Sequence, residues 1–327
     1  IFLGTPFNLL YNFGSSMLRA VGDTKRPLIY LTISGIINVI INIVTVTVFN
    51  MDVVGVAIAT IFSQAVSAVL VLITLIRSNG FLKLSLRKLK IHKHALIDII
   101  RLGVPTGIQS ALFSITNVFL QSSVNSFGSA VVNGCSISGQ IEGYIYAVVN
   151  SISSTALTVV GQNYGARDYF RIKKTILITN VFVTVATLAI SWLAILFHRP
   201  LCKIFMNGNA SEEETNLIIS YAYQKLIIIG GTYFLDGIME VVTFSLRGVG
   251  YSITSMLIVL VGTCVLRIVW IYCIFPFVHN LSFLFLMYPI SWIVTLGVGM
   301  VFLVVLLRRD EKKDAAKAEE NADADGK

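Results

Sequence analysis

Apolar residues run along this chain in long blocks, separated by short stretches of Gly, Pro, Asn and charge. The blocks fall at 1–18, 27–49, 53–76, 95–127, 131–159, 172–197, 217–245, 252–277 and 281–307, nine in all. About 20 residues of helix cross the hydrocarbon core of a bilayer, so the longest blocks must tilt, kink or extend beyond it. The pattern predicts helix throughout. A lipid-facing backbone has to satisfy its own hydrogen bonds, and these blocks far exceed the roughly ten-residue alternating segments of a membrane barrel.

Composition agrees with that pattern. The 327 residues are 55% hydrophobic and 13% charged, with mean hydropathy +0.80, whereas a soluble domain is about 25% charged. Too few charges remain to cover a water-facing exterior, which excludes a cytosolic enzyme and a secreted disulfide scaffold. The net charge of +8 lies between the apolar blocks, not on one basic face, which argues against a nucleic-acid binder. Cys135, Cys202, Cys264 and Cys273 show no CxxC or disulfide spacing. No GxxxxGK[ST], GxSxG or HExxH motif occurs, and His92, His94, His198 and His279 make no cluster. The expectation is an all-α, polytopic membrane helix bundle that is not an enzyme and needs no cofactor.

The basic residues give the orientation. Arg19, Lys25 and Arg26 follow the first block, seven Lys and Arg between Arg77 and Arg101 follow the third, and Arg167, Arg171, Lys173 and Lys174 follow the fifth. Arg247 follows the seventh, and Arg308, Arg309, Lys312 and Lys313 follow the ninth. The alternate connections contain Arg199 and Lys203 beside Asp52, Glu212, Glu213 and Glu214. The positive-inside rule puts the odd-to-even connections and the tail in the cytoplasm of a plasma (inner) membrane protein. It also puts Cys202 in an external loop open to impermeant thiol reagents. Residues 308–327 are poor in apolar side chains and read as a disordered cytoplasmic tail.

A repeat organises the blocks. Shifting the sequence by 228 positions lays Leu18, Arg19, Val21 and Gly22 on Leu246, Arg247, Val249 and Gly250, each set where one helix ends and another begins. Arg19, Gly22, Arg247 and Gly250 are therefore repeat-related helix ends. Blocks one to three pair with seven to nine in the same orientation, as in a transporter of two related halves. Equal halves need six spans each, so three further spans are expected on the amino-terminal side, and the first helix is expected to be cut. On that expectation the chain would not transport unaided. The predicted organisation is 1–77 as the remainder of an N-lobe, 78–94 as a basic cytoplasmic linker, 95–307 as a C-lobe and 308–327 as the tail.

Ionised groups at bilayer depth cost at least ~2.5 kcal/mol on insertion scales, which marks Glu142, Lys225, Asp236, Glu240 and Arg267. Asp236, Glu240 and Arg247 fall within about 40° on one helix face, and Asp236 is roughly 16 Å from the cytoplasmic end. A carboxylate there lacks solvation for its charge, so it can exchange a proton or bind a desolvated cation. Locking of Asp236 or Glu240 in a buried pair with Arg267 or Lys225 is the structural alternative. The repeat puts Asn8 and Asn12 at the equivalent positions, so the acids belong to one half only. Glu142 is a further carboxylate in its own block. Gln109, Asn117 and Gln121 recur at helical spacing, and with Tyr144 and Tyr233 are the expected lining of a substrate cavity, the aromatics offering cation-π faces.

The segment LRAVGDTKRP at 18–27, Asn38 in an apolar helix, GVAIAT at 55–60, GVP opening the fourth block and GQNYGARDYFRIKK at 161–174 resemble the multidrug and toxic compound extrusion (MATE) family. The resemblance implies twelve helices in two lobes, with helices four to twelve present here. It implies an antiporter, driven by H⁺ or Na⁺, that exports amphipathic, cationic small molecules by alternating access, with the bilayer and its substrate as its partners and no obligate protein or nucleic-acid partner. Asp236 looks like the family's coupling acid and the one expected position for Na⁺; no other metal site is expected. Where some members carry Phe-Glu-x-Thr this chain reads FSIT, with Ser114 in place of the acid, leaving Glu240 or Glu142 as the second carboxylate. The alternative is a flippase of the related lipid-linked oligosaccharide exporters, which a cavity rich in Arg and Lys would favour.

Overall fold

The computed structural model describes residues 2–78, 82–85, 90–206 and 211–325; positions 79–81 and 86–89 of the basic linker, with Arg87 and Lys88, and the last two residues lie outside the described residues. The chain divides into two compact units, Ile1–His92 and Lys93–Lys327. The described residues contain helix and no strand. The first unit contains α1 (Thr5–Ala20), α2 (Lys25–Thr47) and α3 (Asp52–Arg77). The second contains α4 (Lys93–Asn125), α5 (Ser129–Gly165), α6 (Tyr169–Leu196), the short α7 (His198–Ile204), α8 (Glu212–Gly248), α9 (Ser252–Phe277), the short α10 (Leu281–Phe285) and α11 (Met287–Asp325). Eight helices among the described residues are long and apolar enough to cross a membrane. The first of the nine apolar blocks forms α1, which at 16 residues is shorter than the rest.

In the second unit α8 is the central helix. Buried side chains make up 56% of its span window, against 12–39% for the other long helices of that unit. It packs on α5, α6 and α11, and glycines set the approach to α5. A Cβ on Gly134 would meet the Ile218 carbonyl at 2.7 Å, and one on Gly248 would meet the Leu157 carbonyl at 2.9 Å. Close contact at both ends of α5 and α8 fixes the rotation of α8, and so the direction of its polar stripe. Ser211 caps α8 by accepting from the Glu214 N–H at 3.2 Å. Glu212, Glu213 and Glu214 occupy its first turn and Arg247 its last, the charge order a helix dipole favours.

The repeat is visible as backbone geometry. Gly22 and Gly250 both take φ +88°, a left-handed conformation that a side chain would strain. Gly22 N–H donates to Arg19 O and Asp23 N–H to Leu18 O; Gly250 N–H donates to Arg247 O and Tyr251 N–H to Leu246 O. α1 and α8 thus end in the same Schellman cap. One further match needs an adjustment. Asn38 Nδ2 donates to Ser63 Oγ at 3.2 Å, and Arg267 Nε donates to Ser291 Oγ at 3.1 Å. The serines obey the 228 shift, but Arg267 is one residue past the position that Asn38 predicts. The π-helical segment Leu260–Val265 accounts for the added residue.

Two sequence expectations change. Cys202 lies in α7, not in an open loop, and is 1% exposed; burial pushes its thiol above the ordinary range. Residues 308–327 read as disordered, yet α11 continues as helix through Asp325. Ala, Glu and Lys are good helix formers, and the start of this segment is docked. Asp310 accepts from Tyr164 Oη at 3.0 Å and from Tyr251 Oη at 2.8 Å, Asp314 accepts from Tyr169 Oη at 2.7 Å, and Lys173 pairs with Glu311 at 2.7 Å. Burial and then the Asp310 carboxylate hold the Tyr251 phenol above its usual range, so it stays a donor. Composition sees the acids but not these distant partners.

Asp310→Ala should leave two tyrosine hydroxyls without their acceptor and cost about 1–3 kcal/mol. Amide exchange over residues 308–316 should accelerate; unchanged exchange would mean that the segment is not held by Asp310. For sidedness, Glu213→Cys in an otherwise cysteine-free chain should react with an impermeant maleimide on intact cells, since Glu213 is exposed. Labelling only after permeabilisation would invert the orientation.

Candidate functional site

A cavity of about 550 Å³ opens inside the Lys93–Lys327 unit. From α4 it receives Thr106, Gln109, Ser110, Phe113 and Asn117, whose i, i+3, i+4, i+7, i+11 spacing puts them on one helix face. α5 contributes Tyr146 and Asn150, α9 contributes Thr263 and Arg267, and α11 contributes Tyr288 and Trp292. The largest share is from α8: Tyr233, Asp236, Met239, Glu240, Phe244 and Arg247.

The expected face of α8 therefore lines a cavity. Asp236 is 7% exposed, interacts through space with Glu240 and Arg267, and makes no hydrogen bond or ion pair among the described residues. Glu240 Oε2 is buried without a hydrogen-bond partner. A carboxylate so placed needs a counter-charge, which a proton, a small cation or a cationic ligand can supply. Among the described residues no group of three or more His, Cys, Asp or Glu is arranged to hold a metal ion. In the first unit Asn12 donates to Asn8, so the repeat-equivalent pair is neutral and joined by a hydrogen bond.

The cavity bases are held separately from the acids. Arg247 Nη2 donates to Gln109 Oε1 at 2.8 Å and its Nε reaches Ser255 Oγ at 3.4 Å. Its guanidinium also lies 4.9 Å from the Phe244 ring centroid. Arg267, 5% exposed, holds Ser291 through Nε and lies 4.2 Å over the Tyr288 ring. Neither forms a direct ion pair with Asp236 or Glu240 among the described residues, so the structural alternative, in which these acids are locked to Arg267, is not what the structure has. Lys225 is paired elsewhere, with Glu142 at 3.1 Å. Ser138 Oγ donates to the other Glu142 oxygen at 2.6 Å, and Lys225 Nζ also donates to Cys135 O at 3.3 Å.

Of the residues singled out from sequence, Asp236, Glu240, Arg247, Gln109, Asn117 and Tyr233 meet at this cavity. Glu142 does not line it, because it neutralises Lys225. Gln121 is exposed and bonded to Asn125; it continues the Gln109–Asn117 face one turn past the end of the cavity. Tyr144 is 67% exposed. Two residues further along α5, Tyr146 is turned roughly 200° from it and lines the cavity instead. Arg267, Tyr288 and Trp292 had been missed as lining. Arg267 was marked in the sequence by its charge, and the one-residue insertion hid its repeat relation to Asn38.

The Lys225–Glu142 side chains are 10% and 12% exposed. Lys225→Met alone should destabilise the protein by about 3–5 kcal/mol by stranding a buried carboxylate, whereas Lys225→Met with Glu142→Leu should recover most of that loss. Thermal denaturation in detergent measures both; equal loss in the single and double variants would show that the pair is not energetically coupled.

Comparison with known proteins gives a consistent result. The family described as MatE matches residues 105–273, just over half of the chain. The probable multidrug resistance protein YoeA of Bacillus subtilis is 27% identical over 258 residues, 76% of this chain and 54% of the relative. YpnP of the same organism, likewise described as a probable multidrug resistance protein, is 26% identical over 92% of this chain and 63% of its own length. The chain thus spans about half to two thirds of these relatives. A solved multidrug resistance transporter of the MATE family, in an outward-facing conformation, superposes with TM-score 0.82 at 19% identity, over 93% of this chain and 66% of that one.

Proposed function

The chain belongs to the MatE family of multidrug efflux transporters, and from that premise we propose that it is part of a secondary antiporter exporting amphipathic, cationic small molecules across the plasma membrane. Export is driven by an H⁺ or Na⁺ gradient through alternating access between two helical lobes, and the tail of α11 lies in the cytoplasm. Asp236 is the coupling acid and Glu240 assists it. The observation that carries this assignment is the placement of Asp236 in the cavity, buried and without a hydrogen-bonding or ion-pair partner among the described residues.

The exchange follows from charge. Asp236 and Glu240 can be balanced by the coupling ion or by the positive charge of a substrate, and occupation by one displaces the other. Coupling requires that each ligand favour a different conformation, because a ligand with equal affinity for both shifts nothing. The flippase alternative has the two cavity arginines in its favour. The matching pair of carboxyl groups and the multidrug relatives weigh against it.

Asp236→Asn keeps the side-chain volume and removes the exchangeable charge. In proteoliposomes carrying the transporter, ion-driven export should fall about tenfold or more, since coupling free energies correspond to roughly 5–150-fold effects. Glu240→Gln, one turn nearer the end of α8, should do less. Runs with a pH gradient and with a Na⁺ gradient identify the ion. Coupled transport undiminished in Asp236→Asn would place coupling elsewhere.

A further inference from the structure

The first unit has a cavity of its own, of about 520 Å³, where α2 begins and α3 ends. Arg26 and Tyr30 line it from α2, one turn apart. From α3 come Leu70, Ile73, Thr74 and Arg77, whose i, i+3, i+4, i+7 spacing puts them on one helix face. Ser34 donates to Ser63 O, and Tyr30 Oη is hydrogen-bonded to Thr74 Oγ1 at 2.6 Å. Partners that descend along α2 while they ascend along α3 mark an antiparallel pair. Arg26 is one turn beyond Tyr30 and Arg77 one turn beyond Thr74, so both arginines lie at the same end, the one that the positive-inside rule turns toward the cytoplasm.

The cavity lining has two guanidinium groups and, among the described residues, no carboxylate. Its neutral polar groups are already committed. Tyr30 is bonded to Thr74, Thr74 donates to Leu70 O, and Ser78 donates to Thr74 O. The arginines are open. Arg77 makes no hydrogen bond or ion pair among the described residues. Arg26 meets Asp23 only through Nε, at 3.3 Å in a mostly exposed pair, a kind of contact that contributes little. Two like charges on one cavity are relieved by an anion, and a phosphodiester offers the oxygen pairs that guanidinium forks bind.

Below the arginines the same cavity becomes apolar. Leu70 is about two turns from Arg77, roughly 10 Å along α3, and the exposed Ile73 lies between them. This order, cationic at the membrane surface and aliphatic further in, is the order of phosphate and acyl chain in a glycerophospholipid, and basic pockets between spanning helices are a recurrent headgroup site. Topology alone would be served by Lys25, in the same turn as Arg26 but outside the lining. Packing of the repeat does not require the arginines either, because the 228 shift places Arg26 and Arg77 on Thr254 and Val305.

We propose that this cavity binds an anionic glycerophospholipid, with its phosphodiester held by Arg26 and Arg77 and an acyl chain along Leu70 and Ile73. The site lies wholly in the first unit and does not depend on the role proposed for Asp236. Lipid bound there ties this end of α2 and α3 to the bilayer interface.

Native mass spectrometry of the chain in non-ionic detergent tests this, with dioleoyl phosphatidylglycerol or dioleoyl phosphatidylcholine as the titrant. The two lipids share acyl chains and phosphodiester and differ in net charge. The unsubstituted protein should hold its tightest-bound phosphatidylglycerol about tenfold more strongly than phosphatidylcholine, as a charge-assisted contact predicts. Arg77→Gln should remove most of that preference and Arg77→Lys should keep part of it, because the charge stays while the fork is lost. Lys25→Gln should change the affinity by no more than about twofold in ammonium acetate of about 0.15 M, where charges more than ~8 Å apart are screened. Millimolar inorganic phosphate should not displace the lipid. Equal binding of the two lipids by the unsubstituted protein, a comparison that needs no variant, would overturn the proposal. Equal weakening by Lys25→Gln and Arg77→Gln would overturn it too, by reducing the site to diffuse surface charge. Displacement by inorganic phosphate would make this a site for a soluble anion, and the lipid assignment would fail.

Discussion

Charge placed where water is scarce is the constraint on which the second unit is built. Lys225, Asp236, Glu240 and Arg247 lie within about 60° of one another around α8, spread over roughly 33 Å of its length. Each has a different resolution. Lys225 is neutralised by Glu142, and Arg247 is bonded to Gln109 at the far end. Asp236 and Glu240, between them, are left facing a cavity. A buried pair is weak support for stability, so the pair at Lys225 and the open acids answer different needs. One joins α8 to α5, and the others line the cavity without an ion pair among the described residues.

α8 can present that stripe because its rotation is set by its neighbours. Close approach of Gly134 and Gly248 to the backbone of α8 and α5 leaves no room for a shifted register. The Schellman cap at Gly250 then ends the helix immediately past Arg247. The same cap at Gly22 shows that the two repeats share their helix ends while their interiors diverge. Asn12 donates a hydrogen bond to Asn8, whereas two carboxylates, Asp236 and Glu240, occupy the matching positions. A π-helical segment in α9 shifts the polar position by one residue, and the neutral amide of Asn38 becomes the guanidinium of Arg267. Irregular helix near a site is a recurrent association, and here it decides which side chain reaches the cavity.

The membrane class, the helical state and the repeat were legible in sequence because each depends on local quantities: run length, apolar content and the spacing of identical residues. The face shared by Asp236, Glu240 and Arg247 was legible for the same reason, since helical periodicity fixes it without knowledge of neighbours. The family resemblance, drawn from short motifs such as LRAVGDTKRP and GQNYGARDYFRIKK, agrees with the MatE match over residues 105–273.

Pairing between helices was not legible. Nothing in the spacing of Lys225 and Glu142 says that they meet 3.1 Å apart, that Gln121 falls beyond the cavity its neighbours line, or that the acids of residues 310–314 find tyrosines on α5, α6 and the α8–α9 connection. Those contacts join residues far apart in the chain, and only packing selects them. By itself the sequence determined which residues are too polar for lipid and on which face of their helix they lie, because solvation and helical geometry are properties of the residue and its near neighbours. Which of those charges are cancelled and which stay open was decided only in the tertiary structure, because a counter-charge comes from another helix.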